Sequence, residues 1–103
     1  MASSKDFLAF VLEQLSGLPD ITYRAMMGEF VIYYRGKVVA GIYDNRFLVK
    51  NTPMAQKLMP SATLEIPYPK GTPMLMVPDI ENPELLARVF NAVWDELPAN
   101  KKK

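Results

Sequence analysis

Apolar side chains recur along this chain with two different periods, and the change of period divides it into elements. Phe7, Leu8, Val11, Leu12 and Leu15 are spaced by threes and fours, the repeat of one helix face. The spacing predicts a helix from Ser4 to Ser16, capped by Ser3 or Ser4, with Asp6 in the first turn and Gly17 and Pro19 as the stop. The same period returns in "NPELLARVFNAVWDEL", where Leu85, Leu86, Val89, Phe90, Val93, Trp94 and Leu97 form a stripe. Asn82 caps this second helix, Pro83 starts it and Pro98 ends it, while Glu84, Arg88, Asn91, Asp95 and Glu96 face water. Burying the stripe is worth about 10–20 kcal/mol before chain entropy is subtracted.

Between the helices the period falls to two. "YRGK" and "YDNR" read as hairpin turns with Arg35-Gly36 and Asp44-Asn45 at their corners. They delimit strands Phe30–Tyr34, Lys37–Tyr43 and Arg46–Lys50, and Tyr23–Met27 adds a strand before Gly28. With Tyr34 opposite Lys37 and Tyr43 opposite Arg46, strict alternation sorts the side chains onto two faces. Val31, Tyr33, Val38, Ala40, Ile42, Phe47 and Val49 share one face, expected to be buried. Phe30, Ile32, Tyr34, Lys37, Val39, Gly41, Tyr43, Arg46, Leu48 and Lys50 share the other. That second face mixes aromatics, aliphatics and cations, too apolar for a face that meets only water.

Downstream, "NTPMAQKLMP" is a short helix capped by Thr52, with Pro53 in its first turn and Pro60 at its end. "ATLEI" and "MLMV" are strands on either side of the rigid loop "PYPKGTP". The order is α-β-β-β-β-α-β-β-α, which predicts a two-layer α+β domain with a mainly antiparallel sheet and its helices on one face. At 103 residues a single domain over 1–103 is expected, with 98–103 as a disordered basic tail.

Composition narrows the chemistry. The chain has no Cys and no His, so disulfides, thiolate nucleophiles, His-based catalysis and His- or Cys-ligated metals are excluded. A Cys-free chain fits a reducing cytosol, and a cytoplasmic protein is expected. The broken apolar run at the N-terminus is neither a signal peptide nor a membrane span. Twelve Lys and Arg against eleven Asp and Glu leave a net charge of +1, which creates no field to gather nucleic acid.

Candidate chemistry thins out on inspection. The methionines could gather as thioethers around Cu(I), but their places in strands and a helix favour packing. Asp20, Asp44, Asp79 and Glu81 sit in turns or at element ends, and Ser3, Ser4, Ser16 and Ser61 lack a nearby base. Gly28, Gly36, Gly41 and Gly71 are isolated, so no phosphate loop is present. No catalytic residue, cofactor or metal is expected. Arg24 is expected to pair with Glu29 or Glu65, or else to hold an anion. Gly28 marks a bulge or tight bend. The mixed face, with Tyr34, Lys37, Tyr43, Arg46, Leu48 and Lys50, is the candidate interaction surface. Three uses remain open for it: a protein partner or a second copy of the chain, cover by the "PYPKGTP" loop, or single-stranded nucleic acid stacked on its aromatics.

The stretch "RAMMGEFVIYYRGKVVAGIYDNRFLVKN" resembles the TfoX/Sxy family in its N-terminal domain. Arg24, Met26, Gly28, Gly36, Lys37, and Phe47 to Lys50 match that family's pattern, as do Tyr68, Pro69, Lys70, Pro73, Met74 and Pro78 downstream. Met27 stands where the family has Phe, and Glu29 replaces its second glycine. The resemblance implies a two-layer fold similar to secretion chaperones, and a non-enzymatic regulatory role. Two-domain members regulate natural competence with the cyclic-AMP receptor protein; the helical C-terminal domain of those regulators is absent from this sequence. The resemblance therefore implies a regulatory or adaptor domain acting by protein–protein contact, with nucleic-acid binding or small-ligand sensing as alternatives, and no membrane association.

Overall fold

The computed structural model describes residues 3–69 and 71–97; the expected tail at 98–103 lies outside them. Nine elements follow in the expected order: α1 (Lys5–Gln14), β1 (Ile21–Met26), β2 (Glu29–Tyr34), β3 (Lys37–Tyr43), β4 (Arg46–Val49), α2 (Pro53–Leu58), β5 (Thr63–Glu65), β6 (Met74–Met76) and α3 (Pro83–Glu96). The strands form one antiparallel sheet ordered β1-β2-β3-β4-β6-β5. Ser4, Thr52 and Asn82 cap the helices through their side-chain oxygens, each satisfying a backbone N–H that a helix start leaves open.

Three two-residue turns build the β1–β4 meander. Met27-Gly28, Arg35-Gly36 and Asp44-Asn45 all hold positive φ, the mirror-image geometry whose twist matches that of paired strands. The bend expected at Gly28 is therefore the corner of a β1–β2 hairpin, closed by the Met26–Glu29 pair.

Helices cover one face only. Leu8 and Val11 of α1 with Leu15 at its C-cap, Ala55 of α2, and Leu86, Val89, Phe90 and Val93 of α3 pack with Phe30, Ile32, Tyr34, Ala40, Ile42, Phe47, Val49 and Leu75 in one core. The assignment of faces on β2 is thus the reverse of that expected. Tyr34 pairs with Lys37 and Tyr33 with Val38, but Ile32 pairs with Ala40. Val39 is the extra residue of a β-bulge, and one inserted residue inverts the parity between the two halves of a hairpin. Phe30, Ile32 and Tyr34 consequently join Ala40 and Ile42 under the helices, and Val31, Tyr33 and Val38 lie on the outer face.

Candidate functional site

With the helices on one side, the outer face of the sheet carries three cross-strand rows. Tyr33 and Val38 are paired, with Lys50 beyond them, its N–H donating to the Val39 carbonyl at 2.9 Å. Val31, Gly41 and Leu48 form the middle row. Glu29 belongs to the third, with the Tyr43–Arg46 pair closing the β3–β4 turn. Gly41 matters here. A Cβ on it would collide with Cε2, Cζ and the hydroxyl of Tyr43, so the tip of that ring occupies the space above the glycine in the middle row.

The segment following β5 crosses one side of this face. Pro67 is buried, and the Tyr68 ring meets that of Tyr43 at 5.8 Å and 60°. Beneath, Tyr43, Leu48 and Met74 form a small second core. The expected cover by "PYPKGTP" is therefore present but partial. It leaves a groove of about 1110 Å³, walled by Met26, Met27 and Glu29 on one side and by Leu64, Pro67, Tyr68, Thr72 and Pro73 on the other. Val31, Tyr33, Val38, Tyr43 and Met74 also line it, with Lys50, Asn51 and Leu97. Burial, and the nearby Tyr68, Glu29 and Tyr33, hold the Tyr43 phenol above its ordinary value of 10.0.

The six residues of the expected interaction face separate. Tyr34 and Lys37 turn inward: the Tyr34 hydroxyl donates to Asn91 Oδ1 at 2.7 Å, and Lys37 Nζ donates to the carbonyls of Trp94 and Leu97 at 2.9 and 3.1 Å. Leu48 is fully buried. Arg46 is engaged by Glu65 at 3.3 Å and by the carbonyls of Tyr43 and Ile66. Tyr43 and Lys50 alone of the six line the groove. Arg24 is exposed and makes neither expected ion pair. Glu65 lies on the far edge of the sheet, and Glu29 is turned toward the β3–β4 corner. There the Glu29 carboxylate accepts the Ser3 hydroxyl at 2.5 Å and the Asp44 N–H at 3.1 and 3.2 Å.

The methionines also differ from expectation. Met59 and Met74 fill core, but Met26, Met27, Met54 and Met76 are exposed, because they sit at a hairpin tip, on a short helix and on the uncovered face. Among the described residues, no group of three or more Asp and Glu side chains is placed to hold a metal ion, and no helix is long and apolar enough to cross a membrane. Sequence reasoning missed Val31, Tyr33 and Val38 as groove residues. The available signal was volume, since Phe30, Ile32 and Tyr34 make the bulkier triad of β2 and so the better core face.

The model of the TfoX N-terminal domain matches residues 13–96, from within α1 to the end of α3. The chain belongs to this family. A TfoX N-terminal domain is thus built here from a one-sided α+β sheet with an open groove. The chain is also similar to an uncharacterized 12.7 kDa protein in the trpE 5′ region of Spirochaeta aurantia, 31% identical over 107 residues, spanning 100% of this chain and 90% of the relative. No solved structure matches.

Proposed function

We propose that this TfoX N-terminal domain is a non-enzymatic regulatory adaptor that acts by protein–protein contact, taking an extended segment of a partner as an added strand along β1. The observation that carries this reading is the uncovered edge. β1 pairs with β2 on one side only, and five of its six residues are exposed. Among the described residues, no loop or helix backbone bonds to Ile21–Met26 from the other side. A bare row of N–H and C=O groups is a template for strand addition.

Two side chains sharpen the reading. Met27 is 99% exposed and holds a φ of 52°, a conformation that costs a non-glycine residue about 1 kcal/mol. An apolar side chain placed there contributes nothing to the core, and it extends the contact surface past the strand end. Arg24, mid-strand and without an ion pair, would approach its own copy if two β1 strands met antiparallel. Like charges opposed across strands disfavour that pairing, so a partner strand with a carboxylate facing Arg24 fits better than a second copy. The nucleic-acid alternative is weakened, because Lys37 and Arg46 are spent inside the fold.

The test is quantitative cross-linking of the protein to captured partners in native lysate, alongside the R24E/M27K double variant. A partner cross-linked to residues 21–27 and lost with the variant, whose circular dichroism is unchanged, is the expected outcome. Equal capture by both proteins would refute the reading, and a doubled mass by light scattering, lost in the variant, would identify self-pairing instead.

A further inference from the structure

We propose that the outer-face groove is a binding site for an amphipathic monocarboxylate, an acyl chain whose carboxylate is held by Lys50 and Tyr33. This site shares Met26 and Met27 with the end of β1, but its polar end at Lys50 and Tyr33 lies off that edge, and it does not rest on the strand-addition reading. The groove, at about 1110 Å³, reaches the size of small-molecule sites and has their make-up: apolar walls with few polar groups. Between Val38 and Tyr43 its floor runs roughly 15 Å along β3, a length suited to an extended chain.

Charge selects the ligand. Among the described residues, two ionic side chains line the groove, Glu29 and Lys50. The Glu29 carboxylate is already satisfied by the Ser3 hydroxyl and the Asp44 N–H. The Lys50 ammonium has no hydrogen bond or ion pair among the described residues; its backbone N–H alone is engaged. Among the described residues, the groove therefore offers one unsatisfied cation and no unsatisfied anion. Tyr33 stands in the same cross-strand row, beyond Val38, and its hydroxyl, near the Tyr43 phenol, makes no hydrogen bond among the described residues. An ammonium and a phenol flanking one end of an apolar trough complement a single carboxylate. From there the chain would pass over Val31, the Tyr43 ring and Met74. Met26 and Met27 at the rim supply adaptable apolar contacts. The Tyr43 phenol remains protonated at neutral pH, so it presents no charge to repel the ligand.

The experiment titrates the full chain with dodecanoate, dodecanol and dodecyltrimethylammonium, each below its aggregation threshold, by calorimetry and methyl NMR. Dodecanoate should bind at one equivalent, roughly tenfold or more tighter than dodecanol, and shift the methyls of Val31, Val38 and Met74. Lys50→Met should remove that preference while leaving dodecanol binding intact, and Tyr33→Phe should reduce it. The proposal is overturned if the cationic amphiphile binds as well as dodecanoate or the preference survives Lys50→Met. It also fails if the shifts map elsewhere or none of the three probes binds.

Discussion

Tyr43 supplies the surface that Gly41 lacks, and that substitution of one side chain for another places a phenol where water is scarce. Burial and the nearby Tyr68, Glu29 and Tyr33 raise its pKa above 10.0. A folded-state pKa raised above the unfolded value means that the native state holds this proton more tightly. The corresponding stability is complete below pH of about 10 and is lost as pH rises through the folded value. Denaturant unfolding across the alkaline range should show this decline in the wild type, and the Tyr43→Phe variant should lack that component. Identical slopes would place the phenol in open solvent. Glu29 makes a different point at the same scale. In the sequence it is an unexplained carboxylate beside a turn. Its purpose appears only when Ser3 and Asp44, distant in the chain, meet it, and no local pattern encodes that meeting.

Among the elements, α3 is fastened to the β2–β3 hairpin at its C-terminal end. Lys37 Nζ donates to two carbonyls there and lies 3.9 Å from the centre of the Trp94 ring. The Arg35 guanidinium also lies over that ring, 4.5 Å from its centre, and the indole N–H donates to the Arg35 carbonyl at 3.2 Å. Carbonyls at a helix end lack intrahelical donors and favour a cation. Lys37→Met should lower stability by about 1–2 kcal/mol, read as a lower denaturation midpoint with an unchanged slope; no shift would show that water replaces the ammonium at no cost. The elements themselves were legible because caps, turn residues and periods are local signals. Asn82 and Pro83 announce α3, and the corners at Arg35-Gly36 and Asp44-Asn45 stand where the turn chemistry puts them. The faces of β2 were not legible. A bulge at Val39 changes one pairing, yet parity carries the change to every residue beyond it, so the groove and the core exchanged members.

At the scale of the whole molecule, the described residues are lopsided: three helices share one side of the sheet, and the segment after β5 partly shades the other. β3 and β4 have strands on both sides and helices above them, whereas β1 is held by one ladder. Such a strand can open without disturbing the core. Amides of β1 should exchange with solvent at least about 100-fold faster than those of Ile42, Phe47 and Val49, as measured by native-state hydrogen exchange; uniform protection would mean that β1 opens only with the entire fold. The gradient has a use as a gauge. A strand added beside β1 would make it an interior strand, and its amides would slow toward the core rate while the rest of the sheet kept its own. Occupancy of the groove would instead slow β2, β3 and the crossing segment. The free energy of local opening thus separates two kinds of visitor on a protein too small to signal either by a large movement.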